Sequence, residues 1–132
     1  MPFPVDNQYI IDAEKELDVT FPQAFKEKMK IENGGEIETA DDSWIIHPFF
    51  DKSDVKRIKR TANHIILETK NSRAWSNFPP TGIAIGDNGT GDKLILLPSG
   101  DHPTQLSEMI FFWSHETGET EEVADNINDL ME

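Results

Sequence analysis

The chain has 132 residues, no cysteine and a formal net charge of −13, from 25 acidic and 12 basic side chains. This length suits one domain, and eight Phe with three Trp make the chain too apolar to be disordered. Without cysteine there are no disulfides, thiolate nucleophiles or cysteine-based zinc sites. The negative charge argues against direct binding of nucleic acid, which needs a surplus of Lys and Arg.

The sequence contains no membrane or secretion signal. Its apolar runs are far shorter than the roughly 18–20 residues of a membrane span. Residues 1–6 lack the basic and apolar regions of a secretory signal. We therefore expect a cytoplasmic protein with no membrane partner.

The charges are distributed unevenly. Residues 1–50 carry eleven acids and four bases, and residues 74–132 carry eleven acids and one base. Residues 51–73 reverse the balance, with seven bases and three acids. Two explanations of the acidic surplus stay open: it serves solubility, or it steers the protein towards a basic partner.

The first third of the chain predicts two helices. Apolar side chains recur at spacings of three and four over residues 6–17, and Asp6 is the expected N-cap. A second helix has Pro22 in its first turn, where the missing N–H costs nothing. It ends at Asn33–Gly35, because glycine permits the left-handed backbone of a helix C-terminus.

The middle of the chain predicts two short strands and a third helix. The turn-prone pair Asp41 and Asp42 separates strands over residues 36–39 and 43–47. One continuous helix over residues 54–69 follows, with Ser53 or Asp54 as its N-cap, a buried apolar stripe and a solvated basic face. The stripe consists of Val55, Ile58, Ala62, Ile65 and Thr69.

The last third predicts four strands and a closing helix. Strands over residues 81–85 and 93–97 form a hairpin, because Asn88 and Gly89 both tolerate positive φ in its turn. Residues 108–114 carry large apolar side chains on both faces, which is typical of a buried, central strand.

A strand over residues 119–124 and a helix capped by Asp125 complete the order of elements. This order predicts an α+β fold for a single domain spanning residues 1–132. We expect one mostly antiparallel (mixed) sheet of about six strands, with the helices packed against it.

No sequence pattern carries catalytic or metal-binding chemistry. His47, His64, His102 and His115 have no metal-ligand spacing. Residues 86–92 lack the ligand spacing of a calcium loop, and they lead into a strand rather than the helix of a dinucleotide loop. We expect no catalytic residue, no metal and no cofactor, with a composite metal site formed only in the fold as the open alternative.

Several short motifs occur in a fixed order. They are Phe21-Pro22, Asn33-Gly34-Gly35, Phe78-Pro79, the segment 83–86, Gly91-Asp92, the segment 110–116 and the segment 123–127. In this order and spacing the chain resembles the Smi/Knr-like family of the SUKH superfamily over nearly its whole length. It departs from the family pattern at Phe21, where leucine is usual, and residues 51–77 match no motif.

The resemblance implies an α+β fold without catalytic apparatus. It also implies structural roles for Pro22, Asn33, Gly34, Gly35, Trp44, Pro79, Gly86, Gly91, Asp92, Trp113, His115 and Glu116. Bacterial relatives bind and neutralise polymorphic toxins, often nucleases, and fungal relatives regulate cell-wall and glucan synthesis.

The leading hypothesis is an immunity protein that covers the basic surface of a cognate toxin. Its expected contact residues are Asp41, Asp42, Glu116, Glu119, Glu121 and Glu122. A regulator or scaffold that binds a partner through the basic segment Lys56–Arg60 is the alternative, and a small metal-dependent enzyme is the least favoured. The oligomeric state stays open.

Overall fold

Four helices and six strands make up the described part of the chain, which is residues 4–38, 43–75, 77–100 and 104–127 of a computed structural model. The helices are α1 (Asn7–Leu17), α2 (Gln23–Ile31), α3 (Val55–Arg60) and α4 (Ile65–Arg73). The strands are β1 (Gly35–Glu38), β2 (Ser43–Ile46), β3 (Ile83–Asp87), β4 (Lys93–Leu96), β5 (Ile110–Trp113) and β6 (Thr120–Ala124). The predicted α+β class is confirmed. The predicted turn at Asp41 and Asp42, His102 and the closing helix beyond Ile127 lie outside the described residues.

The six strands form one sheet in chain order, and every strand pair is antiparallel. One parallel bridge, between Thr20 and Gln105, lies outside the strands. The sheet curls strongly. Trp44 on β2 and Phe112 on β5 meet edge to face with ring centroids 5.7 Å apart, although three strand spacings in a flat sheet amount to roughly 14 Å.

The concave face of the curled sheet holds the main core. α1 contributes Ile10, Ala13 and Leu17, and α2 contributes Phe25 and Met29. These side chains pack against apolar residues of the strands: Ile37, Trp44, Ile46, Ile83, Ile85, Leu94, Leu96 and Ile110. The helices and this face of the sheet therefore exclude water together, which is the main stabilising contribution in such a fold.

Asn33, just after α2, fastens the chain beyond β2 to the helical layer. Its Nδ2 donates to the Phe49 carbonyl at 2.9 Å, and its Oδ1 accepts from the Phe49 amide at 2.8 Å. The Phe49 ring packs against Phe21 and Phe25, with centroid distances of 5.0 and 5.8 Å. Helix α2 ends at Ile31, and its C-cap Glu32 is extended rather than left-handed, so the predicted glycine C-cap is wrong. Gly34 has a φ of 112° in the segment that leads into β1. We call the paired hydrogen bonds of Asn33 the Asn33 clamp.

Lys28 is buried at the end of α2, whereas Lys30 two residues later is exposed. The Lys28 Nζ donates to the carbonyl of Glu32 at 3.0 Å and also to the carbonyl of Gly34. Burial lowers the pKa of Lys28 to about 8, against the smaller opposing effect of Glu32. The ammonium group therefore serves as a donor to two backbone carbonyls in the segment that follows α2.

The continuous helix predicted over residues 54–69 is wrong. The chain forms α3 and α4 instead, and the side chains of Thr61 and His64 support the break between them. Thr61 Oγ1 donates to the Arg57 carbonyl at 2.8 Å and accepts from the Asp51 amide at 3.0 Å. His64 Nδ1 accepts from the Leu67 amide at 3.2 Å and so caps α4.

The break also changes which side chains are buried. Val55, Ile58 and Ala62 of the predicted stripe are exposed, while Ile65 and Thr69 are buried as expected. Of the two expected caps, Ser53 and Asp54, it is Asp54 that caps α3, where its side chain accepts from the Arg57 amide at 2.8 Å. α3 therefore contributes nothing to the core.

The convex face of the sheet is covered by α4 and the segment after it. Phe78 packs edge to face on Trp113, with ring centroids 5.0 Å apart. Trp75 stacks on the same Trp113 ring, with a centroid distance of 5.5 Å. Thr69 accepts from the Ala84 amide at 3.0 Å, next to a register shift in β3. β5 is thus covered on both faces, as predicted, although it is the fifth of six strands rather than a central one.

The hairpin of β3 and β4 is confirmed, but its turn differs from the prediction. Five residues, 88–92, connect the two strands. Gly89 has a φ of 82° and Gly91 a φ of 107°, whereas Asn88 does not adopt positive φ. The Asn88 side chain instead accepts from the Thr90 amide at 3.0 Å, which supports the longer loop.

We predict that Asn33→Ala lowers the free energy of unfolding by about 3 kcal/mol, because it leaves the buried amide and carbonyl of Phe49 unpaired. Denaturant titration of the full chain measures this loss. Asn71→Ala, at an exposed position on α4, is the control and should be close to neutral. Equal effects of the two substitutions would show that the Asn33 clamp adds no stability.

We predict that Lys28 makes stability depend on pH between about pH 8 and 10.5. In this range the unfolded chain keeps the Lys28 proton that the folded protein has released. The stability of the wild type relative to Lys28→Met should therefore rise with pH, by at most about 1.4 kcal/mol per unit. Unfolding curves measured across this range test the rise, with Lys30→Met as the control. A constant difference between the wild type and Lys28→Met would contradict the prediction.

Candidate functional site

The acidic residues expected to contact a partner lie at the β6 edge of the sheet. Glu121 and Glu122 are exposed on β6, Glu119 is exposed just before it, and Glu116 is exposed in the preceding turn. β6 pairs only with β5, so its other side has no strand neighbour within the described ranges. We call Glu116, Glu119, Glu121 and Glu122 the acidic edge.

The acidic edge presents charge on both faces of its strand. Glu121 is paired with Phe112 and Glu122 with Phe111, so the two carboxylates point to opposite faces. Val123 beside them is 40% exposed. The expected contacts at Asp41 and Asp42 lie outside the described residues.

The turn that carries Glu116 is held by residues of two separate motifs. Asp92 Oδ1 lies 2.6 Å from His115 Nδ1 and accepts from the His115 amide at 3.1 Å. The His115 carbonyl accepts from Asn77 at 3.2 Å, and the Asn77 carbonyl accepts from the Trp113 indole at 3.2 Å. The structure thus brings together two motifs that are separate in the sequence, Gly91-Asp92 and the segment 110–116 with Trp113 and His115.

Two competing effects act on the carboxyl group of Asp92. Desolvation acts to raise its pKa, but the hydrogen bonds from His115 and Asn88 together outweigh it and lower the pKa below the ordinary value. Gly91 allows this approach, because a Cβ there would lie 3.1 Å from His115 Cγ. Asp92 and His115 therefore join the β3–β4 loop to the turn before β6.

The other motif residues have packing roles. Trp44 is buried on the concave face, and Pro79 is half-buried, its carbonyl accepting from the Gly82 amide at 3.0 Å. Pro22 is buried but lies at the N-cap of α2, one residue before the predicted first turn. Gly86 packs beneath β2, where a Cβ would lie 3.0 Å from the Ile45 carbonyl oxygen.

A pocket of about 490 Å³ lies between the end of α2 and α3. Asn33, Gly34 and Pro48 line one side, and Arg57 and Arg60 line the other. The pocket also contains acidic side chains, so its wall has mixed charge.

A third polar group lies between α4 and the convex face of the sheet. His47 Nε2 is 3.4 Å from Asp87 Oδ2 and 3.9 Å from Glu68 Oε1. Lys93 Nζ is 3.5 Å from Glu68 Oε1 and 5.7 Å from the centre of the Trp75 ring. His47 is completely buried, and neither ring nitrogen has a hydrogen-bond partner in the described part of the chain.

Burial lowers the pKa of the His47 imidazole, and Lys93 lowers it further, while Glu68 and Asp87 act to raise it. The sequence did not indicate this group, because His47, Glu68 and Asp87 are far apart in the chain and form no ligand spacing. The one available signal was the alternation of β2, which places His47 on the same face as Ile45.

None of the helices in the described ranges is long and apolar enough to cross a bilayer. The expectations that the protein has no metal, no cofactor and no catalytic residue stay predictions.

We predict that Asp92→Asn weakens the link between the β3–β4 loop and the turn before β6. It should lower the free energy of unfolding by about 1 kcal/mol at neutral pH, because a neutral amide accepts hydrogen bonds more weakly than a carboxylate. The folded-state pKa of Asp92 is depressed, so the difference from the wild type should shrink as pH falls below the ordinary Asp value near 4. Denaturant titrations at several pH values measure it, and a pH-independent difference would contradict the role of the Asp92 charge.

The family comparison agrees with the fold. The model of the SMI1 / KNR4 family (SUKH-1) matches residues 4–132, which is nearly the whole chain. No curated protein matches the chain significantly. The family match includes the Asn33 clamp, the Asp92–His115 link and the acidic edge in one continuous span. The chain therefore belongs to the SMI1/KNR4 (SUKH-1) family.

Proposed function

We propose that this protein is a non-catalytic immunity protein that neutralises a cognate toxin domain, a nuclease in the leading case, by binding it through the acidic edge. The observation that carries the proposal is that the carboxylates of the acidic edge lie on and just before β6, whose outer side pairs with no other strand in the described part of the chain. Residues 114–127 contain five acidic side chains and no basic one. Family membership supports the class of function, because bacterial relatives in the superfamily are toxin-binding proteins.

The acidic edge has the physical properties that binding a basic surface requires. Clustered charge of one sign accelerates encounter with a partner of opposite charge and disfavours wrong partners. Carboxylates on an edge strand also oppose pairing with unrelated strands, because an unprotected edge is prone to aggregation. A partner with matching Lys and Arg side chains removes that repulsion.

The mechanism we propose is occlusion. Nucleases hold the phosphates of their substrates with Lys, Arg and other donors. The carboxylates of Glu119, Glu121 and Glu122 would occupy those donors in place of the phosphates. The bulk of the curled sheet behind β6 would then keep the substrate out, without any chemical step by this protein.

The alternative function is regulation or scaffolding through α3. This helix has no buried residue, and Lys56, Lys59 and Arg60 are exposed on it. Val55 beside them is 69% exposed, which adds apolar area to a basic surface. An acidic partner would contact this surface rather than the acidic edge.

We predict that reversing three charges, Glu119→Lys, Glu121→Lys and Glu122→Lys, weakens binding to a cognate toxin domain, sought first among the products of neighbouring genes, by at least about a hundredfold. Loss of opposite-charge contacts and like-charge repulsion both contribute. The measurement is the dissociation constant at two salt concentrations, since the electrostatic part decreases with salt. All positions are exposed, so thermal melting should show an unchanged fold.

The matched control reverses the same number of charges on α3: Lys56→Glu, Lys59→Glu and Arg60→Glu. It should leave toxin binding and protection of cells within a few-fold of the wild type. If the α3 variant loses binding and the β6 variant keeps it, the regulatory alternative replaces the proposal. A neighbouring gene without a toxin-like product, together with no protein captured by the acidic edge, would refute the immunity function.

A further inference from the structure

We propose that His47, Glu68 and Asp87 form a binding site for one Zn²⁺ ion between α4 and the convex face of the sheet. The site is separate from the acidic edge and independent of the proposed function. It combines one imidazole with two carboxylates, a donor set that suits a transition metal more than Mg²⁺ or Ca²⁺.

The positions of the three ligand atoms fit one small cation. All three lie within 4.8 Å of one another, and Nε2 of His47 is 3.4 Å from Oδ2 of Asp87. Ligands bound at roughly 2.0–2.2 Å in a tetrahedral site are themselves about 3.4 Å apart. Glu68 Oε1, 3.9 Å from His47 Nε2, needs only a small side-chain movement to reach the same arrangement.

The burial of His47 and its missing hydrogen bonds distinguish this site from an ordinary acidic cluster. Its side chain is completely buried, and both ring nitrogens lack a hydrogen-bond partner within the described ranges. Buried polar atoms are normally paired, because an unpaired one loses its hydration without compensation. Coordination through Nε2, which faces both carboxylates, would satisfy this atom.

Three segments of the fold hold the ligands: His47 directly follows β2, Glu68 lies on α4 and Asp87 ends β3. The His47 amide donates to the Ile85 carbonyl at 2.8 Å, which extends the pairing of β2 with β3. Asp87, the last residue of β3, accepts from the Gly89 amide through Oδ1 at 3.0 Å. That hydrogen bond orients the carboxylate so that Oδ2 faces the imidazole, as outer-shell contacts of metal ligands do.

Solvent can reach the site from the carboxylate side. The side chains of Glu68 and Asp87 are 21% and 26% exposed, whereas that of His47 is closed off. Three protein ligands leave one position of a tetrahedral ion for water.

Lys93 competes with the metal ion. Its ammonium group is 3.5 Å from Glu68 Oε1 and already neutralises part of the charge of the two carboxylates. The alternative to a zinc site is therefore a closed network of His47, Glu68, Asp87 and Lys93 that holds no metal. The two possibilities predict different Zn²⁺ binding when the Lys93 charge is removed. A zinc site should bind Zn²⁺ more tightly, whereas a closed network should bind none.

The test uses the full chain, freed of metal with a chelator and titrated with ZnCl₂ by calorimetry, with MgCl₂ as the negative control. We expect one Zn²⁺ per chain with a dissociation constant in the micromolar range or below, a higher melting temperature with Zn²⁺, and no response to Mg²⁺. Asp87→Asn and Glu68→Gln should each weaken Zn²⁺ binding at least tenfold. Lys93→Met should strengthen it severalfold.

His115→Gln is the matched control, because His115 is the other histidine that contacts a carboxylate. It should leave the stoichiometry and affinity unchanged. Co²⁺ in place of Zn²⁺ gives a second readout, since a tetrahedral site with a nitrogen ligand produces visible absorption that Asp87→Asn should remove. Absence of saturable Zn²⁺ binding, or binding that survives both Asp87→Asn and Glu68→Gln, would overturn the proposal.

Discussion

The Asn33 clamp is the interaction on which the arrangement of this fold depends. One buried amide holds both backbone groups of Phe49 and so fixes where the chain turns away from β2. The Phe49 ring then enters the core with Phe21 and Phe25. His47, two residues earlier, is directed to the opposite face of the sheet. The clamp thus connects the helical layer, the concave core and the polar group beneath α4.

Much of the fold follows from local patterns in the sequence. α1 and α2 have clear apolar spacing, although α2 ends at Ile31 with Glu32 in an extended conformation, two residues before the first glycine of the predicted stop. The break between α3 and α4 could not be predicted in this way, because it contains no proline or glycine. Thr61 and His64 support it through hydrogen bonds to the backbone, and the bond that Thr61 accepts from the Asp51 amide depends on a segment outside both helices.

The candidate sites differ in how much the sequence discloses. Exposed acids on a short polar strand are visible as a run of Glu between residues 116 and 122, so the acidic edge was predictable. The roles of Asp92 and His115 were visible only as motif residues, because their contact joins two loops. The approach of His47 to Glu68 and Asp87 needs both the pairing of β2 with β3 and the packing of α4, and neither appears in the spacing of the residues.

The simple order of the sheet has a consequence for how the chain acquires its structure. Each strand pairs with the strands next to it in sequence, so most pairings in the sheet are local, whereas β2 and β3 join across α3 and α4. During synthesis the sheet can grow one strand at a time, with β6 added last. An edge strand held by a single neighbour also opens most easily, so backbone amides of β6 should exchange with solvent before those of β3 and β4. The surface that carries the acidic residues therefore lies on one of the two sheet edges that can adjust their shape, β1 being the other.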